Sequence, residues 1–245
     1  MIEEILPPNV VVAEAYDDSA PAELYPEEAR VVANSVDSRR REFATARLCA
    51  RRCLAQLGLP PGPLLPGRHG APRWPESVTG SISHCTGYRV AALALTSDVA
   101  MMGIDAEPDQ PLPAGVLESI ALPGEIARLR RLRATEPGVC WDRLLFSMKE
   151  AVYKAWYPAT GRRLDFEDAD IEVDAAAASF TARIIPSRPQ NRGESGLLKG
   201  RWLARRNLVV SAIAVPKAVV VPDELVPGWP VTCRKVPVSA GGHLG

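Results

Sequence analysis

Two acidic side chains separated by one small residue end an apolar run in MMGIDAEPD, residues 101–109. In an extended strand the side chains alternate. Gly103, Asp105 and Glu107 then share one face, while Met102, Ile104 and Ala106 share the other. Two neighbouring carboxylates repel each other unless positive charge lies between them. A hard divalent cation, with substrate phosphates completing its shell, is one answer, and Mg²⁺ is the usual ion, with Mn²⁺ as the alternative. A solvated acidic strand end that runs into a proline turn is the other.

The second cluster is FSMKEAVYKAW, residues 146–156. On a helix Lys149, Glu150, Tyr153 and Lys154 fall within little more than one turn, and Glu150 pairs with Lys154 at i, i+4. Such a face is either an exposed salt-bridged surface or a reactive one. In the second case Glu150 is a third metal ligand opposite Asp105 and Glu107, with Lys149 and Lys154 turned toward phosphate.

SRRREFATARLCARR, residues 38–52, is a basic helix. At about 100° per residue from Phe43, Arg40 lies near 60°, Arg47 near 40° and Arg51 near 80°, beside the apolar stripe. Arg41 and Arg52 fall on the solvent side. Cations leaning toward the protein body need an anion or must snorkel to water, and the guanidinium fork suits phosphate. His84, at the end of GSISHCTG, is either structural or a phosphate hydrogen-bonding partner. No acid at a recognisable spacing and no G-x-S-x-G elbow accompany it, so it is weak evidence for a Ser/His hydrolase.

These groups need elements to position them. Helices are expected at about 38–57, where Phe43, Ala46, Ala50, Leu54 and Leu57 form one apolar face, at 124–133, and at 141–157, ended by Pro158. A further helix starts at Pro26. Strands are expected at 78–84, 89–96 and 101–107, then in a meander at 179–185, 200–205 and 208–215. Residues 60–76 read as a Pro/Gly-rich loop, 186–197 as a mobile loop and 221–245 as a flexible tail. The order of elements argues for an α+β fold with mainly antiparallel sheets. One lobe covers 1–108, with the basic helix, the SISHC strand and the D-x-E strand. A second covers 109–220, with the K-E-x-x-x-K helix.

Composition adds limits. Lys plus Arg and Asp plus Glu are 29 each, giving zero net charge. No global field favours nucleic acid or a membrane surface, so neither is expected as a partner. Five cysteines, odd in number and irregularly spaced, do not read as a disulfide framework, which fits a reducing cytoplasm. The acidic start MIEEILPPNVVVAEAY does not read as a signal peptide, and no apolar run approaches the ~18 residues of a membrane span.

Taken together, Gly103-Ile104-Asp105-Ala106-Glu107 and Phe146-Ser147-Met148-Lys149-Glu150-Ala151-Val152-Tyr153-Lys154, preceded by SISHC, resemble the signatures of the 4′-phosphopantetheinyl transferase superfamily. RRREFATARLCAR, the stretch around WDRLLFSMKEAVYKAW and GRW extend the likeness over roughly residues 20–215. It is strongest to the two-lobed monomeric type that includes enterobactin-synthetase component D, and to its actinobacterial branch. The resemblance implies a pseudo-twofold pair of α/β lobes with coenzyme A as substrate in the cleft between them. Apo acyl carrier and peptidyl carrier proteins are the implied partners, and a monomer is expected. Asp105, Glu107 and Glu150 take the metal-ligand positions. Glu150 and Lys149 take the catalytic ones, with Lys149 and Lys154 near the phosphates. Ser83, His84, Arg39 and Arg47 match positions that hold coenzyme A. Related chains carry lysines near the 3′-phosphate in the loop where this one has Arg68 and His69. That departure loosens the expected preference for 3′-phosphorylated coenzyme A. The carrier helix is expected to dock on an apolar surface within 112–129. A magnesium-dependent phosphohydrolase and an anion-gripping binding module are the competing readings.

Overall fold

The computed structural model describes residues 1–185 and 196–217. Among them the chain is an α+β fold of antiparallel sheets. Strands β1 (Val11–Ala15), β2 (Val78–Cys85) and β3 (Tyr88–Leu95) form a three-stranded sheet in the order β1-β3-β2. Strands β4 (Val99–Pro108), β5 (Ala169–Asp174), β6 (Ser179–Ile184), β7 (Gly196–Arg205) and β8 (Leu208–Pro216) form the second sheet, in the order β4-β8-β7-β6-β5. Short α1 (Pro26–Val31) precedes the 20-residue α2 (Asp37–Gln56), which lies on β3 and β1. α3 (Val116–Ile120) and α4 (Pro123–Thr135) lead to the 20-residue α5 (Trp141–Thr160), which lies on β4 and β8. Each lobe thus repeats one plan, a long helix across an antiparallel sheet.

The apolar stripe of the basic helix goes inward as its periodicity requires: Phe43, Ala46, Ala50 and Leu54 are buried on the core side. Cys49 and Cys53 join that core as free thiols, and burial pushes the Cys53 thiol up to about 12. Such a thiol is inert at neutral pH. α5 outlasts the expected stop at Pro158. The proline sits inside the helix, and Gly161, in the left-handed region at φ 70°, caps it by donating to the Tyr157 carbonyl at 2.8 Å.

Three features depart from the expected elements. β1 and β5 were not anticipated. β7 begins at Gly196, inside the segment expected to be a loop, whose residues 186–195 lie outside those described. The expected tail, 221–245, also lies outside them. The division at residue 108 is crossed by hydrogen bonds, since β4 pairs with β8 throughout, with Asp105 opposite Ser211 and Glu107 opposite Val209.

The two sheets meet where β2 passes β4. Side chains, not a backbone ladder, join them there. Ser81 Oγ accepts from the Ile104 N–H at 3.1 Å, and Ser83 Oγ accepts from the Ala106 N–H at 3.1 Å. On the other face of β4, a Cβ added to Gly103 would lie 2.0 Å from the Ala151 carbonyl oxygen and 2.5 Å from the Ala155 nitrogen. These are backbone atoms of α5, so the space beside Asp105 is filled by the helix, and only glycine admits it. Gly103→Ala is expected to lower stability by at least about 3 kcal/mol, because backbone must shift to accept one methyl. Urea unfolding followed by circular dichroism measures this.

Candidate active site

α5 runs antiparallel to β4. Arg143, Ser147, Glu150 and Lys154 recur at helical spacing and face the strand. Arg143 reaches Glu107, with Nη1 to Oε2 at 3.0 Å, and Lys154 reaches Asp105, with Nζ to Oδ1 at 2.6 Å. Asp105 is 3% exposed. Its Oδ1 also accepts from Ser83 Oγ at 3.0 Å, while its Oδ2 is buried without a hydrogen-bond partner.

Burial raises the Glu150 pKa above the ordinary carboxylate range; Lys154 opposes the rise and the charge of Asp105 adds to it. Glu107 is raised as well, first by burial and then by Asp105, against the pull of Arg143. Glu107 and Glu150 are thus each close enough to Asp105 to feel its charge. That donor set, hard oxygens with one buried lone-pair face free, fits a divalent cation in its chemistry. As the side chains stand, however, no group of three or more His, Cys, Asp or Glu among the described residues could hold a metal. The expected three-ligand convergence is not formed because two of the carboxylates are held by basic partners. Asp105 is held by Lys154 and Glu107 by Arg143.

Glu150 lies in the wall of a cleft with two compartments, of about 570 and 460 Å³, that share His69, Glu150 and Tyr153. The smaller is lined by Arg39, Arg47, Ser81, His84 and Lys154. Arg47 is 6% exposed, lies 4.1 Å over the Phe43 ring and donates from Nε to the Leu64 carbonyl at 2.8 Å. Burial lowers its pKa to about 10, so it stays cationic at neutral pH with no carboxylate in contact. Arg39 donates to His84 Nε2, and burial followed by Arg39 lowers the His84 pKa, which keeps the ring neutral. Tyr153 and Tyr157 stack with centroids 5.7 Å apart, and His69 meets Tyr157 edge-on at 5.3 Å.

Three expectations change. Lys149, expected beside phosphate, is 3% exposed; it lines the larger compartment beside Glu150, with its ammonium already engaged. Its ammonium is shared among Glu125 at 2.9 Å and the carbonyls of Phe166 and Ala169 at 2.7 Å each. A lysine with all three donors engaged in the interior is structural, since leaving them would strand Glu125. Ser83, expected on the nucleotide, is 2% exposed and spends its hydroxyl on Asp105, Lys154 and the Ala106 N–H. Arg68 is exposed and outside the lining of both compartments, while its neighbour His69 lines both. Within 112–129 the apolar side chains divide: Ile120 and Leu129 are buried, while Leu112, Val116, Leu117, Leu122 and Ile126 are half-buried.

Sequence reading also passed over residues. Arg143, Tyr157 and Arg163, the last in the wall of the larger compartment, were not singled out. Arg143 and Glu150 are two turns apart on one helix face, a spacing that was legible. The third basic-helix residue near the stripe, Arg51, needs no ligand: it pairs at 3.0 Å with Glu28, which is fully buried. Arg40 lies outward with Asp37.

The assignment of Lys149 has a direct test. Lys149→Met leaves the Glu125 carboxylate buried and unpaired, which should cost about 3–5 kcal/mol of stability. Lys149→Met combined with Glu125→Leu should recover most of it. Thermal melts of the single and double variants measure both effects; a phosphate-contacting lysine would show neither.

Comparison with known proteins agrees with the geometry. The family model described as the 4′-phosphopantetheinyl transferase N-terminal domain matches residues 27–94, and that of the 4′-phosphopantetheinyl transferase superfamily matches residues 101–208. The chain is 53% identical to the 4′-phosphopantetheinyl transferase Svp of Streptomyces mobaraensis, over 88% of this chain and 89% of that one. It is 46% identical to the 4′-phosphopantetheinyl transferase PptT of Mycobacterium tuberculosis, over 84% and 96%. To the 4′-phosphopantetheinyl transferase Npt of Nocardia iowensis it is 43% identical, over 87% and 99%. With both halves matched by family models and near full-length identity to three such enzymes, the chain belongs to the 4′-phosphopantetheinyl transferase superfamily, in its actinobacterial type.

Proposed function

We propose that this protein transfers the 4′-phosphopantetheine arm of coenzyme A to a serine of an apo acyl or peptidyl carrier protein, releasing 3′,5′-ADP. The observation that carries the reading is the cleft, where buried cationic Arg47, the Arg39–His84 pair, Lys154 and Glu150 share one wall and Lys154 reaches back to Asp105. A diphosphate ester with a nucleotide at one end is the ligand such a wall suits, because the guanidinium fork and the ammonium each match phosphate oxygens.

Arg47 and Arg39 bind the anionic nucleotide end, and neutral His84 adds a hydrogen bond. The stacked Tyr153 and Tyr157 offer an apolar wall along which the pantetheine arm extends toward the larger compartment. The serine oxygen forms a bond to phosphorus as the bond from that phosphorus to the 3′,5′-ADP oxygen breaks. Glu150 accepts the hydroxyl proton. Its raised pKa makes it a stronger base than an ordinary carboxylate. Lys154, freed toward the diphosphate, neutralises the oxygens that gain charge. Asp105, Glu107 and Glu150 would hold Mg²⁺, which when bound neutralises further charge on the same oxygens. In phosphoryl-type transfers such positioning and electrostatics supply most of the catalysis.

The partners are carrier proteins, with no nucleic acid or membrane involved, and the chain acts as a monomer in the cytoplasm. No helix among the described residues is long and apolar enough to cross a membrane. Mass spectrometry of apo carrier proteins incubated with the enzyme, coenzyme A and Mg²⁺ tests the reading. Each carrier serine should gain one phosphopantetheine arm. Asp105→Ala and Glu150→Gln should lower loading at least about 100-fold, with melting curves that remain cooperative. Hydrolysis of coenzyme A without transfer would replace the reading with a phosphohydrolase.

A further inference from the structure

The carboxylates carry a feature that their expected role does not account for. Two basic side chains of the same helix pair with two of them, Asp105 and Glu107. Lys154 Nζ stands 2.6 Å from Asp105 Oδ1 and 3.2 Å from Ser83 Oγ, and Arg143 Nη1 stands 3.0 Å from Glu107 Oε2. The two pairs differ in how they are held. Arg143 is fixed by two further bonds, to the carbonyls of Gln110 at 3.0 Å and Pro111 at 3.2 Å. Lys154 has only Asp105 and Ser83 as partners here, and its side chain is 27% exposed at the wall of the cleft. Its flexible stem lets the ammonium move by several ångströms between partners. The free Oδ2 of Asp105 points away from these bonds and is buried.

We propose that Lys154 is a resident counter-ion that occupies the cation's place beside Asp105 until a diphosphate arrives to draw it off, so that divalent cation and coenzyme A bind with positive coupling carried by this one side chain. An ammonium in contact with Asp105 and a divalent cation on the same carboxylate repel each other, so the free protein holds the cation weakly. When coenzyme A enters, its diphosphate becomes the better partner for Lys154. The carboxylates are left with excess negative charge, and the cation then binds tightly. Coupling is reciprocal, so the cation raises affinity for coenzyme A by the same factor. The inference rests on the assignment of Asp105, Glu107 and Glu150 as cation ligands given above.

Mn²⁺ binding, followed by loss of the free-ion electron paramagnetic resonance signal without any carrier protein, tests it separately from turnover. In the unmodified protein, saturating coenzyme A should tighten Mn²⁺ binding by about tenfold or more. Lys154→Met, with a melting curve recorded alongside, should bind Mn²⁺ about tenfold more tightly than the unmodified protein when coenzyme A is absent. Its further gain on adding coenzyme A should be small. Lys154→Gln, which removes the charge beside Asp105 and keeps a polar side chain there, should tighten free-protein Mn²⁺ binding in the same direction, and it serves the test if Lys154→Met does not fold. Free-protein affinity that is unchanged or weaker in the variants, while coenzyme A still promotes Mn²⁺ binding, overturns the counter-ion role and leaves the cation ligands standing. Failure of the unmodified protein to bind Mn²⁺ with or without coenzyme A overturns both.

Discussion

The approach of α5 to β4 at Gly103 governs the rest of the molecule. With no side chain at that residue, the helix backbone lies against the strand backbone. The next residues outward on the same strand face, Asp105 and Glu107, are thereby brought within reach of Lys154 and Arg143. The alternation of a strand and the 3.6-residue turn of a helix then do the remaining work. A looser contact, a Cβ on Gly80 at 2.9 Å from the Ala92 carbonyl of the paired strand β3, also leaves little room in β2 beside the serines that clasp β4. The site is thus defined by backbone approaches, which resist thermal drift better than long polar side chains.

Two lysines five residues apart on one helix illustrate how environment separates structure from chemistry. The side chains of Lys149 and Glu125 are each 1% exposed, and both charges are saturated with hydrogen bonds to carbonyls or N–H groups. That pair is sealed, and it ties α4 and β5 to α5. Lys154 keeps a quarter of its side chain in the cleft and shares its carboxylate with nothing beyond Ser83. An interior pair of the first kind sets register between elements, whereas an open pair of the second kind can exchange partners.

Much of this was legible in the chain. Period-two alternation put Asp105 and Glu107 on one strand face, and helical spacing put Glu150 beside Lys154; that the two pairs meet came only from the family resemblance, because periodicity within an element carries no tertiary information. The inward stripe of α2 followed from the same arithmetic. Lys149 was misread since its partner, Glu125, sits on another helix, and only packing reveals which of two adjacent lysines turns inside. The inward-leaning arginines were ambiguous for the same reason: Arg51 found Glu28 and Arg47 did not find an acid. β1 escaped notice because only Ala13 of its five residues is buried. In β5, by contrast, Ala169 and Ile171 alternate with outward Asp170 and Glu172, so its pattern was present but short.

β4 is by sequence the last strand of the first half and by hydrogen bonding the edge of the second half's sheet. Neither half is therefore a self-contained module. Severing the chain near residue 108 would strip β8 of its neighbour and leave a row of bare amide and carbonyl groups, the kind of edge that recruits other chains into aggregates.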